Sequence, residues 1–447
     1  MRSQHQFSQV PRADIARSSF NLSHGVKSTF DVDFLVPILV MDIIPGDTFN
    51  VKCSFFMRLA TPLHPLMDNM YVETFFFFVA YRTIWDSFEK FHGAQDDPGD
   101  SIDFTIPVLS AGIVGTGDLS DYMGLPLALD ASVTNDVSSL PFRAYRKIWN
   151  DWFRDENLQD TLDFNTNNGP DNNTNSGMAD IPLKRGKRFD YFTSSLPAPQ
   201  KGSAVALPLG TRASIATDAA AGGLITVKAL HPALLTQNQL DAGGATVDLS
   251  ATTGATGDEL FADLTNATAA TINDIRLAFQ TQKLIERDAR SGTRYVETLK
   301  AHWGVTSPDH RLQRAEFLGG GSSGINITPV AQTSGQTAPV DADTMGMLAG
   351  FGTASGTHGF SKSFVEHGVL IGICNVRGDI TYSQGIDRMW SKSTRFDFFI
   401  RSSRKLASRR YSIKNMVGRE CERSISVRLS RKVCRISACT IAFMRIV

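Results

Sequence analysis

The residues best suited to chemistry form a short basic and aromatic segment, KRGKRFDYF, at positions 184–192. Lysine and arginine neutralise phosphates and aromatic rings stack on nucleobases, the combination that single-stranded nucleic acid binding uses. Four charges in a loop are also typical of a solvated or inter-subunit segment, so both interpretations stay open. The candidate nucleic-acid contacts are Lys184, Arg185, Lys187, Arg188, Phe189 and Tyr191.

No catalytic, metal-binding or cofactor-binding motif accompanies this segment. The sequence contains no GxxxxGK[ST], HExxH, GxSxG or EF-hand pattern. Residues 351–363, FGTASGTHGFSKS, share only the composition of a phosphate-binding loop and are interpreted as a flexible surface loop. His64, His92, His302 and His367 could meet in space, but they are scattered along the chain. The sequence therefore predicts neither an enzyme nor a metalloprotein, and no cofactor.

Composition and charge are those of an ordinary folded protein with an unusual C-terminal segment. The 447 residues are 42% hydrophobic and 20% charged, with 45 basic and 45 acidic side chains. Residues 401–447 hold 13 of the basic and two of the acidic residues, a net charge of +11, which leaves −11 on residues 1–400. No apolar run has the length of a membrane helix or the position of a secretory signal. We therefore expect a protein that stays in the cytoplasm or assembles there, without a membrane.

The elements that must position the basic segment are mainly β-strands. Residues 33–44 are continuously apolar, residues 48–59 alternate apolar with polar, and residues 71–81 contain four consecutive phenylalanines. The second pattern is typical of a half-buried strand, and the third of a strand buried on both faces. Three long strands joined by short turns indicate a sandwich or a barrel.

Two helices are predicted, over residues 141–158 and 274–292, because apolar residues recur there at helical spacing. In the first helix the polar face is expected to carry Arg143, Lys147, Asp151 and Arg154.

Loops are expected elsewhere. Residues 164–180 are rich in Asn and Gly, residues 319–324 read GGGSSG, and residues 377–379 read RGD, a hairpin-turn composition. Residues 211–273 are rich in Ala, Gly and Thr with one aromatic residue, so we expect an insertion outside the main core.

Several segments together resemble the major capsid protein of the Microviridae, in particular the gokushovirus branch of small single-stranded DNA phages. They are collinear and cover nearly all of residues 1–399. The resemblance implies a mainly β fold, an eight-stranded antiparallel viral jelly roll with large insertion loops and a few helices. The similar segments are PRADIARSSFNLSHGVKSTFDVDFLVPILVMDIIPGDTFNV, TPLHPLMDNMYVETFFFFVAYR, LPFRAYRKIWNDWFRDENLQ, KRGKRFDYFTSSLPAPQKG, TQKLIERDARSGTRYVETLKAHWGV and GTHGFSKSFVEHGVLIGICNVRGDITYSQGIDRMW.

The same resemblance implies a structural function. Sixty copies would form a T=1 icosahedral shell around a circular single-stranded DNA genome, assembled in the cytoplasm of a bacterial host. An internal scaffolding protein, a small basic DNA-packaging protein and a pilot protein would be partners. The insertion at 211–273 would form a protrusion at the threefold axes that contacts a host surface receptor. An acidic body is compatible with a separate basic protein that neutralises most of the genome.

Residues 1–399 are thus expected to form one jelly-roll domain with insertions, and the resemblance stops near residue 399. The basic C-terminal tail, residues 400–447, is explained either by a reading-frame shift in the source gene or by a genuine DNA-binding arm.

A second functional hypothesis is a β-sandwich protein that binds or cleaves glycans. Long aromatic strands and Gly/Asn-rich loops would suit it, but the sequence offers no convincing pair of catalytic carboxylates.

Overall fold

The computed structural model describes the following residues: 17–60, 66, 68–110, 115–127, 137–172, 181–186, 188–190, 194, 196–198, 200–203, 205, 214–217, 225–226, 248–249, 260–263, 272–292, 294–306, 313–331, 348–379, 386–395, 398 and 439–446.

Strands dominate this part of the chain. The strands are β1 His24–Phe30, β2 Val36–Ile43, β3 Thr48–Leu59, β4 Met70–Ala80, β5 Leu109–Ser110, β6 Asp171–Asn172, β7 Ser214–Thr217, β8 Ile225–Thr226, β9 Asp248–Leu249, β10 Leu260–Asp263, β11 Glu316–Gly324, β12 Asn326–Ala331, β13 Leu348–Ser363, β14 Gly368–Gly378 and β15 Cys439–Ile446. The α-helices are α1 Phe88–Phe91, α2 Leu119–Tyr122, α3 Leu140–Ile148, α4 Ile272–Ser291 and α5 Tyr295–Trp303.

Two antiparallel sheets form the main body. One has the strand order β11-β4-β14-β2, and the other has the order β1-β15-β3-β13-β12. Alternate residues of β3 and β4, such as Phe55, Met57 and Phe76, are buried in one hydrophobic core shared by the two sheets. The mainly β, antiparallel prediction is confirmed. The sheets hold five and four described strands, so the predicted count of eight is not confirmed.

The four-stranded sheet is covered on its outer face as well. There, Phe77 and Ile371 pack in a second core with Phe142, Tyr145 and Trp149, which come from α3 and the turn after it. Strand β4 is therefore buried on both faces, as its four phenylalanines predict.

Helix α3 differs from the prediction in length and in its buried face. It ends at Ile148 and continues as a single π-helical turn, Trp149–Phe153, instead of extending to residue 158. Arg143 was predicted on the polar face, and this is wrong because its side chain is fully buried. Its Nε and Nη2 donate to the two carboxylate oxygens of Asp171 at 2.6 and 2.8 Å. A buried partner in β6, a short strand within the stretch 164–180 that was predicted as a loop, thus overrides the helical pattern.

Residues 319–324, predicted as a loop, lie instead in strand β11. Their glycines lie where β13 of the other sheet approaches closely. A Cβ on Gly319 would lie 3.1 Å from the carbonyl oxygen of Gly359, and a Cβ on Gly321 would overlap the imidazole of His358. Glycine is therefore used here for close packing of strands and not for a turn.

Residues 351–363 are also a strand and not a flexible loop. They belong to β13, whose residues Thr353–Ser363 pair in register with Arg58–Thr48 of β3. Small residues at 352–356 allow the close approach of the sheets, since a Cβ on Gly356 would lie 2.6 Å from Oγ of Ser323 in β11.

His358 of β13 joins the two sheets through both ring nitrogens. Nδ1 is hydrogen-bonded with Oγ1 of Thr74 at 2.7 Å, and Nε2 with Oγ of Ser323 at 3.1 Å. Burial lowers the pKa of His358 below its ordinary value of 6.5.

This histidine predicts a pH dependence of stability. The folded chain disfavours the protonated imidazole, so the unfolded chain takes up a proton first as the pH falls below 6.5. We expect the free energy of unfolding to be higher above pH 6.5 and to decrease below it. The free energy of unfolding of the His358→Gln variant, measured by urea denaturation, should decrease less between pH 8 and pH 5.5. Equal decreases in both proteins would contradict the assignment.

Backbone contacts divide the chain into two units, residues 1–197 with 305–447, and residues 198–304. In the second unit, α4 spans Ile272–Ser291 and confirms the predicted helix, and Lys201 Nζ donates to the Gly292 carbonyl at 2.7 Å. Most of the expected insertion at 211–273 lies outside the described residues.

The described residues contain neither a membrane-spanning helix nor a cluster of metal ligands. No helix there is long and apolar enough to cross a membrane. In the same residues, no group of three or more His, Cys, Asp and Glu side chains could hold a metal ion. Of the four histidines, His92 and His367 stack with ring centroids 4.8 Å apart, whereas His302 binds Asp288 and His64 is not described.

Candidate nucleic-acid interface

The basic segment meets the main sheet at one buried carboxylate, Glu73 of β4. Three arginines donate to it: Arg185 Nη1, Arg188 Nη2 at 3.0 Å, and Arg377 Nη2 at 2.8 Å. Glu73 is 4% exposed. We call this group of four residues the arginine cluster.

The arginine cluster has a rigid backbone support. Residues 183–185 run alongside residues 33–35. Leu35 N donates to the Leu183 carbonyl at 2.9 Å, and Arg185 N donates to the Asp33 carbonyl at 2.8 Å. From α3, the hydroxyl of Tyr145 donates to the Leu35 carbonyl at 2.6 Å and accepts from Leu183 N at 2.9 Å. The helix therefore fixes the position at which the basic segment crosses the sheet.

Aromatic rings surround the cations. The Arg185 guanidinium lies 4.9 Å from the centroid of Phe75, and the Arg188 guanidinium lies 5.8 Å from that of Tyr71. Lys184 Nζ lies 5.1 Å from the centroid of Phe34. These cation–π contacts hold the basic side chains in place.

Glu73 is ionised at neutral pH despite its burial. Burial by itself raises the pKa of a carboxyl group, but the hydrogen bonds from Arg377 and Arg185 outweigh it and lower the pKa of Glu73 to about 2. The carboxylate therefore neutralises part of the charge that the basic segment brings to the sheet.

A pocket of about 280 Å³ opens beside the arginine cluster. Arg185 and Arg188 line it from the basic segment, and Asn375 and Arg377 from β14. Asn375 and Arg377 lie two residues apart on one strand, so their side chains project from the same face of the sheet.

The structure brings together only part of the predicted contact set. Arg185 and Arg188 bind Glu73, Lys184 lies against Phe34, and Phe189 is 71% exposed at the pocket. Lys187 and Tyr191 lie outside the described residues.

Sequence reasoning missed three members of this site: Glu73, Asn375 and Arg377. Arg377 was assigned to a turn, and this is wrong because it belongs to β14 and its side chain is 7% exposed. The one available signal was Glu73, a single carboxylate within the apolar strand YVETFFFF.

Two facing antiparallel sheets joined by long insertions, with a basic segment across one sheet, are typical of a jelly-roll shell subunit. A family model described as "Capsid protein (F protein)" matches residues 8–431, so the chain belongs to this family of capsid proteins.

Three relatives agree with the family. The protein described as "Capsid protein VP1" of Bdellovibrio phage phiMH2K is 45% identical over 413 residues, which cover 89% of this chain and 75% of the relative. The proteins of the same description from Chlamydia phage 1 and Spiroplasma virus 4 are each 34% identical, over 88% of this chain and 76% and 75% of their own lengths.

The resemblance to the Microviridae capsid protein is confirmed. The chain is a major capsid protein, a structural component of the virion that assembles into a multimeric shell, and not an enzyme. The glycan-binding or glycan-cleaving alternative is not supported.

Proposed function

We propose that sixty copies of this chain form a T=1 icosahedral shell around a circular single-stranded DNA genome. The observation that carries the proposal is the wide distribution of large exposed apolar side chains. A closed shell needs several different contacts on each subunit, and exposed apolar patches mark such contacts. Examples among the described residues are Phe20, Phe279, Trp303, Val365 and Trp390, each between 68% and 84% exposed.

The proposed DNA contact is local. Glu73 pairs with all three arginines, but Arg185 and Arg377 are the more buried, so Lys184 and Arg188 are the described cations best able to meet a phosphate. The Arg188 side chain is 55% exposed, which supports this role. Arg185, Lys187, Phe189 and Tyr191 complete the proposed contact set.

The proposed partners follow from the family resemblance. They are an internal scaffolding protein, a small basic DNA-packaging protein, a pilot protein, and a host receptor that contacts the insertion at 211–273. Assembly in the host cytoplasm belongs to the same proposal.

For residues 400–447, a frame shift and a basic DNA-binding arm both stay as proposals. The family match continues beyond residue 399 to residue 431, and β15 lies between β1 and β3. Both observations favour a genuine C-terminal segment over a frame shift, and neither bears on DNA binding. Independent long reads of the gene across codons 390–450 decide between them. An uninterrupted frame excludes the frame shift, and one inserted or deleted base that restores the family's C-terminal pattern excludes the arm.

Nuclease protection tests the enclosure of DNA. Particles purified from cells that express this chain with its phage partners should protect circular single-stranded DNA from added nuclease, because a closed shell excludes the enzyme. Heat-disrupted particles are the control and should release DNA that is digested. Digestion at the same rate with intact and with disrupted particles would contradict the proposal.

A further inference from the structure

The pocket beside the arginine cluster is electrically balanced. Its lining includes three cations, Arg185, Arg188 and Arg377, and three carboxylates, Asp33, Asp190 and Asp379. A phosphate would meet as many negative as positive charges there. The pocket therefore favours a neutral polar group over an anion.

Two residues that line this pocket, Asn375 and Arg377, each carry one buried polar atom that has no hydrogen-bond partner among the described residues. These atoms are the acceptor Oδ1 of Asn375 and the donor Nε of Arg377, both unpaired within the described part of the chain, whereas Nδ2 of Asn375 donates to the Phe34 carbonyl at 3.0 Å. A buried polar atom without a partner costs free energy. A ligand edge that carries a donor beside an acceptor supplies both missing partners, and every nucleobase has such an edge.

The rim of the pocket offers a stacking surface. Phe189 lines the pocket and is 71% exposed, so its ring is accessible to a flat ligand. Stacking of a base on an aromatic side chain is tolerant of sequence because every base has a π face.

Backbone hydrogen bonds link the lining residue Asp33 to β14 and to the basic segment. Asp33 N donates to the Val376 carbonyl at 2.9 Å, and the Asp33 carbonyl accepts from Arg185 N. Asp33 has a φ of 73°, a left-handed conformation that is uncommon for a residue other than glycine. Such conformations persist where the surrounding structure fixes them, often at ligand sites.

We propose that this pocket, lined by Phe189, Asn375 and Arg377, receives one unpaired base of single-stranded DNA. The base stacks on Phe189 and meets the two unpartnered atoms with its polar edge, while its backbone phosphates remain near Lys184 and Arg188 outside the pocket. This inference rests on the proposed DNA contact, and it adds that the contact reads a base as well as the backbone.

The test measures the affinity of the full-length soluble chain for two labelled oligonucleotides of about 12 units by fluorescence anisotropy. One is oligothymidylate, and the other has the same number of phosphates but no bases. We expect the oligothymidylate to bind about 5- to 100-fold more tightly, the range of one base–aromatic stack. Phe189→Ala should remove this difference, and Phe189→Trp should retain it. The slope of log affinity against log salt should stay the same in Phe189→Ala, because no phosphate contact is lost.

Phe20→Ala is the matched control, since Phe20 is an exposed phenylalanine that does not line the pocket. It should bind both strands like the unchanged chain. Equal binding of the two strands, or an unchanged difference in Phe189→Ala, overturns the base pocket. If Lys184→Ala still weakens the binding of both oligonucleotides in that case, the proposed DNA contact stands without the pocket. If neither strand binds the unchanged chain, both proposals fail.

Discussion

Glu73→Gln is expected to lower the free energy of unfolding by about 3–5 kcal/mol, the usual cost of removing one partner from a buried ionic group. The substitution keeps the size of the side chain but removes the charge that three arginines share. Arg377 and Arg185 are 7% and 20% exposed, so water cannot replace the lost partner fully. Urea denaturation of the soluble chain measures the effect.

Glu366→Gln is the matched control for this change. Its partner is Arg82 at 2.7 Å, with side chains 32% and 30% exposed, so the expected loss is under about 1 kcal/mol. Similar losses in the two variants would contradict the role of Glu73 as the centre of the arginine cluster.

The effect of Glu73→Gln also depends on pH. The pKa of Glu73 is lowered from 4.5 to about 2, so its charge stabilises the fold fully above pH 4.5, and this contribution is lost as the pH falls toward 2. The difference between the two proteins should therefore shrink over this range. A constant difference would exclude the ionised carboxylate as its cause.

Arg143→Met should destabilise the chain by a similar amount, about 3–5 kcal/mol. Asp171 is 3% exposed and would keep a buried charge without its bidentate partner. The arginine also donates to the carbonyls of Ile84 and Asn167 at 3.1 and 2.9 Å, so these acceptors would lose their partner as well. Tryptophan fluorescence during urea denaturation measures the loss, and Trp85, which donates to Asn168 Oδ1 at 2.7 Å beside this pair, is one of the five tryptophans that contribute to the signal.

A double variant, Arg143→Met with Asp171→Leu, separates the lost pair from the remaining charge. Replacement of both charges by apolar groups is often nearly neutral, so the double variant should be more stable than Arg143→Met alone. Arg290→Met provides the surface control, because Arg290 is 54% exposed and pairs with Glu286 at 3.7 Å. A double variant less stable than the single one would show that the unpaired Asp171 charge is not the main cost.

The strands with strong apolar patterns could be predicted from the sequence. Strand β3 begins and ends at the predicted residues, Thr48 and Leu59, because one face alone is buried and the pattern alternates. Strand β4 needed only its four phenylalanines, which fill two cores. Local composition decides such elements.

Strands β11 and β13 could not be predicted from local sequence, because their glycines and serines are required by the close approach of a strand in the other sheet. Gly319 and Gly321 are small because β13 approaches them, a contact between residues more than 30 positions apart. The same holds for Arg143, whose burial depends on Asp171 in strand β6, 28 positions away. Sequence patterns show which residues are polar but not which polar residues meet.

The candidate site was predicted in part for the same reason. The basic and aromatic composition of residues 184–191 identified the segment, since clustered charge is visible in sequence. The pairing of Arg185 and Arg188 with Glu73 requires β4 to lie beneath the segment. Arg377 joins them because β14 is the neighbour of β4.

The mass of the assembled particle tests the central claim most directly. Sixty copies of a 48.9 kDa chain amount to about 2.9 MDa of protein. Charge-detection mass spectrometry of DNA-free particles, from cells that express this chain with the proposed scaffolding protein, should give one population whose capsid-chain content matches this mass. A chain that stays near 48.9 kDa, or a broad distribution of open aggregates, would contradict a closed T=1 shell.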